Sequence, residues 1–185
     1  MTRLILSALG VLVIAQATVG CASEPSGDNS AVRTSQVVQN DSVNGVLPED
    51  ESLFVRTDFT DDAAWRAIVE AVNKSYQPEG LELMYGLTVV DDPAFANVTI
   101  DGFEKLLTSQ SYVYIVDEQA IRHPEHPILV VDHTGLGEPG PGLPTFRILP
   151  REVGLVEVNL TLANMDFEDF AYSVDADGVF RGFGD

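Results

Sequence analysis

The chain has 185 residues and a formal net charge of −19, with 10 Lys and Arg against 29 Asp and Glu. Its 45% hydrophobic content is that of a folding sequence and not of a disordered acidic tail, and its length suits one domain with an appendage. The charge excludes a nucleic-acid binder, which needs a basic face, and disfavours adhesion of the folded part to anionic lipid; the single Cys excludes an intramolecular disulfide and any multi-Cys zinc or iron–sulfur site.

Thr2-Arg3 is a short positive start, Leu4 to Ile14 is an almost unbroken apolar run, and small residues follow up to Thr18-Val19-Gly20-Cys21. This is the three-part layout of a secretory signal, and its apolar core is shorter than the roughly 20 residues a spanning helix prefers. The lone Cys stands where cleavage is expected, so the segment resembles the lipobox of bacterial lipoproteins, with Thr18 where that motif most often has Leu. Residues 1–20 therefore read as a lipoprotein-type signal peptide. Cys21 is the expected lipid attachment site, carrying palmitate-like acyl chains, and the alternative is a plain secretory signal with an incidental Cys. Each buried methylene adds about 0.8 kcal/mol of anchoring, so a multiply acylated Cys21 would hold the protein at the cell membrane, facing outside the cytoplasm. Residues 22–51 are rich in Ser, Asn, Asp, Gln, Gly and Pro and contain no aromatic residue, which predicts a flexible tether.

Residues 52–185 read as a single domain. Leu53-Phe54-Val55 predicts a buried strand. Thr60 and Asp61 offer caps for a helix with Trp65, Ile68, Val69 and Val72 on one face, ended by Pro78 and Gly80. A second strand is expected over Leu83 to Val90, turned by Asp91-Asp92-Pro93. Thr99 or Asp101 caps a helix with Phe103, Leu106 and Leu107. Tyr112 to Val116 is a third strand, Glu118 to Arg122 a helical turn, and Ile128 to Val131 a fourth strand. Gly135 to Pro144 is a loop, Phe146 to Ile148 a short strand, and Pro150 opens a helix running to about Asn164. Phe167, Phe170 and Ala171 suggest a short helix, and Asp175-Ala176-Asp177-Gly178 a turn before Val179 and Phe180. The alternation predicts an α/β layered sheet, mainly parallel with a late antiparallel strand and helices on both faces.

Arg56-Thr57-Asp58-Phe59, Asp61-Asp62-Ala63-Ala64-Trp65, Asp91-Asp92-Pro93-Ala94-Phe95, His123-Pro124-Glu125-His126-Pro127, Asn164-Met165-Asp166-Phe167 and Asp177-Gly178-Val179-Phe180-Arg181-Gly182 stand in that order. Together they resemble an uncharacterised family of actinobacterial-type domains of unknown function, over nearly all of Ser52 to Phe183. The resemblance carries no catalytic residue to this chain.

Acidic residues recur just past strand ends: Asp58, Asp91, Asp92, Asp117, Glu118 and Asp132. Ligands of open α/β sheets bind outside the carboxyl ends of parallel strands, so Asp58, Asp91, Asp92 and Asp132 could converge on Mg²⁺ or Ca²⁺ and activate water. The competing reading is that Asp caps helices and forms turns after any strand. His123, His126 and His133 could contribute to a zinc site, but the prolines beside the first two favour a rigid turn with surface imidazoles. Arg56, Arg147 and Arg181 are expected to pair with acids such as Asp58, Asp91 or Asp166, with anion binding the other reading. Neither a nucleophile elbow nor a phosphate loop is present. Asp175-x-Asp177-Gly178 lacks the downstream Glu of a calcium loop and reads as a turn.

The expectation from sequence is thus a lipid-anchored, extracytoplasmic domain that binds rather than catalyses. It needs no cofactor, and its partner is a basic protein patch or cationic ligand. The alternatives are a divalent-metal-dependent hydrolase using the strand-end acids and a purely structural surface protein.

Overall fold

The computed structural model describes residues 45–76, 87–135 and 141–184. The signal peptide, Cys21, most of the tether, Pro78, Gly80, the first part of the expected second strand and the centre of the Gly135–Pro144 loop lie outside the described residues.

Six strands form one sheet in the order β2-β1-β3-β4-β5-β6. They are β1 (Ser52–Arg56), β2 (Leu87–Val90), β3 (Tyr112–Val116), β4 (Ile128–Asp132), β5 (Thr145–Ile148) and β6 (Val179–Phe180). β1 lies parallel between β2 and β3, and all five of its residues are buried. That is why it reads as an unbroken apolar run rather than an alternating one. β3-β4 and β4-β5 are antiparallel, while β6 returns parallel to β5. The antiparallel strand expected late in the chain is β4, and both of its pairs sit in the middle of the sheet.

Strand alternation sends side chains to two cores. On one face Phe54, Tyr114, Val116, Val130, Phe146, Ile148 and Phe180 meet Trp65, Ile68 and Val72 of α1 (Asp62–Ser75), Val153, Val156 and Leu160 of α4 (Val153–Thr161), and Phe167 and Phe170 of α5 (Phe167–Ala171). Ala120 and Ile121 of α3 (Glu118–Arg122) join them. On the other face Leu53, Val55, Val113, Ile115, Leu129 and Val131 are covered by Phe95, Leu107 and Phe103, the last from α2 (Ile100–Glu104). Each such side chain removed from water contributes about 1.5–3 kcal/mol, so both faces drive the layering.

The helix starts follow the residues expected. Asp61 caps α1, accepting hydrogen bonds from the backbone N–H groups of Ala63 and Ala64, and Thr99 caps α2. The helix expected from Pro150 to Asn164 is shorter: a 3-10 turn over Pro150–Glu152 leads into α4, which closes at Leu162 before Ala163 adopts a positive φ of 50°. The domain also begins earlier than expected. Leu47 is buried in the second core and Pro48 accepts a hydrogen bond from Gln110 Nε2, so these two residues of the expected tether pack onto the fold.

Candidate functional site

The chain leaves β1 for β2 through α1 on one face and returns from β2 to β3, beyond β1, through α2 on the other. Such a reversal leaves a crevice at the carboxyl ends of the parallel strands, the usual ligand position in open α/β sheets. Because Val55 pairs with Val90 and Arg56 with Val116, the residues that follow β1, β2 and β3 all emerge at this edge.

Arg56, at the end of β1, is the centre of the site and only 4% exposed. Its guanidinium lies 4.4 Å from the ring centre of Phe59 and 5.4 Å from that of Trp65. One terminal nitrogen donates to Asp62 Oδ1 at 2.6 Å and the other to Asp91 Oδ1 at 3.4 Å, while Nε donates to the Asp58 carbonyl at 3.0 Å. Trp65 closes the circuit by donating its indole N–H to Asp91 Oδ2 at 3.0 Å and stacking on Phe54 at 5.3 Å. The delocalised, planar guanidinium suits this position: its faces meet aromatic rings and its rim meets oxygens. The side chains of Asp62 and Asp91 remain 70% and 45% exposed, so the cage has a buried cation and a solvent-facing acidic rim.

The other acids at this edge serve the backbone as well. Asp58 accepts from the Thr60 N–H at 2.7 Å, Asp92 from the Ala94 N–H at 2.9 Å, and Asp117 caps α3 through the Ala120 N–H at 3.0 Å. Asp117 also receives both terminal nitrogens of Arg147, at 3.1 and 2.5 Å. The N–H groups of Ala64 and Ala63 hold the Asp61 carboxyl below its ordinary pKa. Just past β1, the Thr57 and Asp58 N–H groups donate to the Val116 carbonyl at the end of β3, at 3.0 and 3.3 Å.

Of the four acids considered for a metal, Asp58, Asp91 and Asp92 share the carboxyl edge and Asp132 does not. β4 runs antiparallel to β3, so Asp132 pairs with Tyr112 at the start of β3, on the opposite edge, and accepts from the Thr134 N–H at 2.8 Å. The four-acid convergence expected from sequence is corrected on this point. Among the described residues no group of three or more His, Cys, Asp and Glu side chains is arranged to hold a metal ion. The histidines separate in the same way. His126 Nδ1 donates to the Ala120 carbonyl at 2.7 Å and His123 Nδ1 accepts from the Glu125 N–H at 3.2 Å, whereas His133 bonds the Gln110 carbonyl beside the start of β3.

Arg181 makes a second clasp at the edge, bonding Glu125 at 2.7 Å, Asp175 at 2.9 Å and Asp177 at 2.8 Å. It holds the Asp177 carboxyl down at about 2 and lowers that of Glu125. Asp175 to Gly178 is the expected turn, with Gly178 at a φ of 77°. Of the acids expected to pair with arginine, Asp91 does so, Asp58 offers only its carbonyl, and Asp166 instead forms a capping box with Asp169 at the start of α5. Two features of the site escaped sequence reasoning: Asp62 and Phe59 as partners of Arg56, and Glu125 as a partner of Arg181. A cation directly ending a fully apolar strand was the available signal for the first.

Fold and site together define an α/β domain with a mixed sheet and a caged arginine at its parallel carboxyl edge. Residues 51–183 match the family described as Domain of unknown function (DUF6924), and the chain belongs to that family. No curated protein matches it.

Proposed function

We propose that the chain is a lipid-anchored, extracytoplasmic interaction domain that uses the carboxyl edge of β2, β1 and β3 to engage a basic protein patch or cationic ligand. The observation that carries the reading is the composition of that edge. Arg56 is buried while Asp61, Asp62, Asp91 and Asp92 are exposed; Arg66 of α1 stands near Asp61, and Arg147 is held by Asp117. Such a surface attracts cations at long range, and the aromatic and backbone contacts keep its carboxylates in place before a partner arrives. Of the segments that carry the resemblance to actinobacterial-type domains, Arg56–Phe59, Asp91–Phe95 and His123–Pro127 flank the carboxyl edge, whereas Asn164–Phe167 packs by Tyr112 at the opposite one.

Trp65 is the only tryptophan of the chain and its indole is bonded to Asp91, so its fluorescence reports on the site. A synthetic oligolysine peptide is expected to change Trp65 emission at low salt, with the response weakening as ionic strength rises and the Debye length shrinks. Replacing Asp62 and Asp91 together by Asn is expected to abolish most of it. An emission unchanged by the peptide, or a response equal in the double variant, refutes the binding role. The anchor rests on the signal and on Cys21, and Cys21→Ala is expected to release the protein from the membrane fraction; a variant that stays membrane-bound refutes the lipid attachment.

A further inference from the structure

At the opposite edge of the sheet, Glu157 of α4 is fully buried at 0% exposure. Its position follows from Gly154, one turn earlier. The Gly154 N–H donates to Ser75 Oγ at 2.9 Å, and a Cβ on Gly154 would fall 2.5 Å from the Ser75 carbonyl oxygen, so α4 and the end of α1 touch backbone to backbone. This approach sets the Glu157 carboxyl beside Tyr76, the C-cap of α1, whose hydroxyl donates to Oε2 at 3.5 Å. Thr161 donates to Oε1 at 2.8 Å. Ser52 Oγ faces the carboxyl without a well-formed hydrogen bond, and the hydroxyl of Tyr114, a completely buried residue, has no partner among the described residues.

Among the described residues, the groups acting most on Glu157 are Tyr76 from α1, Thr161 from its own helix, Ser52 from β1 and the Glu51 carboxylate just before it, and the hydrogen bonds to its carboxyl come from the neutral Tyr76 and Thr161. On β3, Tyr114 and Tyr112 belong to the same neighbourhood, with Tyr114 sensing both Glu157 and Tyr76. An ionised Glu157 would be buried beside another carboxylate with no compensating charge, whereas a neutral acid gains an O–H that can donate toward Ser52 or Tyr114. Burial accordingly pushes the Glu157 carboxyl above its ordinary range and the Tyr76 and Tyr114 phenols above theirs.

We propose that Ser52, Tyr76, Tyr114, Glu157 and Thr161 form a proton-operated latch between α1, α4 and the floor of the sheet, closed while Glu157 is a neutral acid. Opening breaks the Glu157 O–H bond and releases that proton to water, leaving a carboxylate that must reach solvent or a counter-ion. The last turn of α1 and the body of α4 then lose their seat on β1 and β3.

The folded chain holds a proton on Glu157 above the pH at which the unfolded chain releases it, near the ordinary value of 4.5. Stability is therefore full below that pH and is lost as pH rises through the higher folded value. Unfolding of the full chain by urea is to be followed at pH values from about 5 to about 9 for the native sequence and for Glu157→Gln, a neutral isostere. The native midpoint is expected to fall relative to that of E157Q as pH rises, and parallel profiles overturn the latch. Should E157Q fail to fold, ¹³C NMR titration of the glutamate carboxyls of the native chain decides. One resonance titrating above the ordinary glutamate range is expected, and titration of every glutamate at or below that range overturns the proposal. Amide exchange that accelerates in α4 and the last turn of α1 above the transition supports the latch; acceleration spread evenly over the fold overturns it.

Discussion

Arg56 joins the last buried position of β1 to two exposed carboxylates and two aromatic rings, so its replacement removes several interactions at once. Charge-assisted hydrogen bonds contribute about 1.5–3 kcal/mol each when desolvated, but the Asp62 and Asp91 side chains are 70% and 45% exposed, so water recovers much of that loss. For Arg56→Gln a loss of about 2 kcal/mol is expected, read as a lower urea midpoint with an unchanged slope. A stability within about 0.5 kcal/mol of the native chain would show that the cage does not hold the edge together. Arg56→Lys is expected to recover only part, because an ammonium lacks the planar fork and the flat face that Phe59 and Trp65 cover. At this scale the sequence was informative about residue type and less so about partners. Aspartates after strands do cap helices and turns, as Asp61, Asp92 and Asp117 demonstrate. Asp62 as the nearest acid to Arg56 depends on the path of the β1–α1 loop, which local propensity does not specify.

The elements themselves were largely written in periodicity and caps. β1, β3 and β4 match apolar runs, and α1 buries Trp65, Ile68 and Val72 at helical spacing. α4 buries Val153, Val156 and Leu160, the apolar side that helical spacing gives, although the helix ends before Ala163. Glu157, not singled out by the sequence, points inward because Gly154 draws the helix against α1. The gap left for a side chain at Gly154 is tested by Gly154→Ala. A methyl group 2.5 Å from the Ser75 carbonyl oxygen must push the two helices apart, and a loss of about 1–3 kcal/mol is expected even though alanine is the better helix former. A gain in stability, measured by urea unfolding, would mean that the α1–α4 contact is looser than described.

Across the whole molecule, strand order separates what alternation could show from what it could not. Strand–helix alternation supports an α/β layered sheet, but whether a strand joins parallel or antiparallel depends on tertiary pairing. The short α3 connection lets β4 return antiparallel, and that single reversal sends Asp132 and His133 to the edge opposite Asp58, Asp91 and Asp92. The acids that remain together are engaged by Arg56, Trp65 and backbone N–H groups, which suits a preformed acidic rim better than a vacant coordination sphere. At the carboxyl edge the buried Arg56 cation thus stands behind the solvent-facing carboxylates of Asp62 and Asp91.

The most direct test of that edge as an interaction surface is a ¹H–¹⁵N NMR titration of the ¹⁵N-labelled chain with oligolysine at low salt. Trp65 gives a single indole resonance, since the chain has one tryptophan, and the Ala63, Ala64 and Ala94 amides report on Asp61 and Asp92. Saturable shifts concentrated at the Trp65 indole and these amides are predicted. Shifts confined to the tether or scattered over acidic positions elsewhere, with the Trp65 indole unmoved, would contradict the assignment of the carboxyl edge as the binding surface.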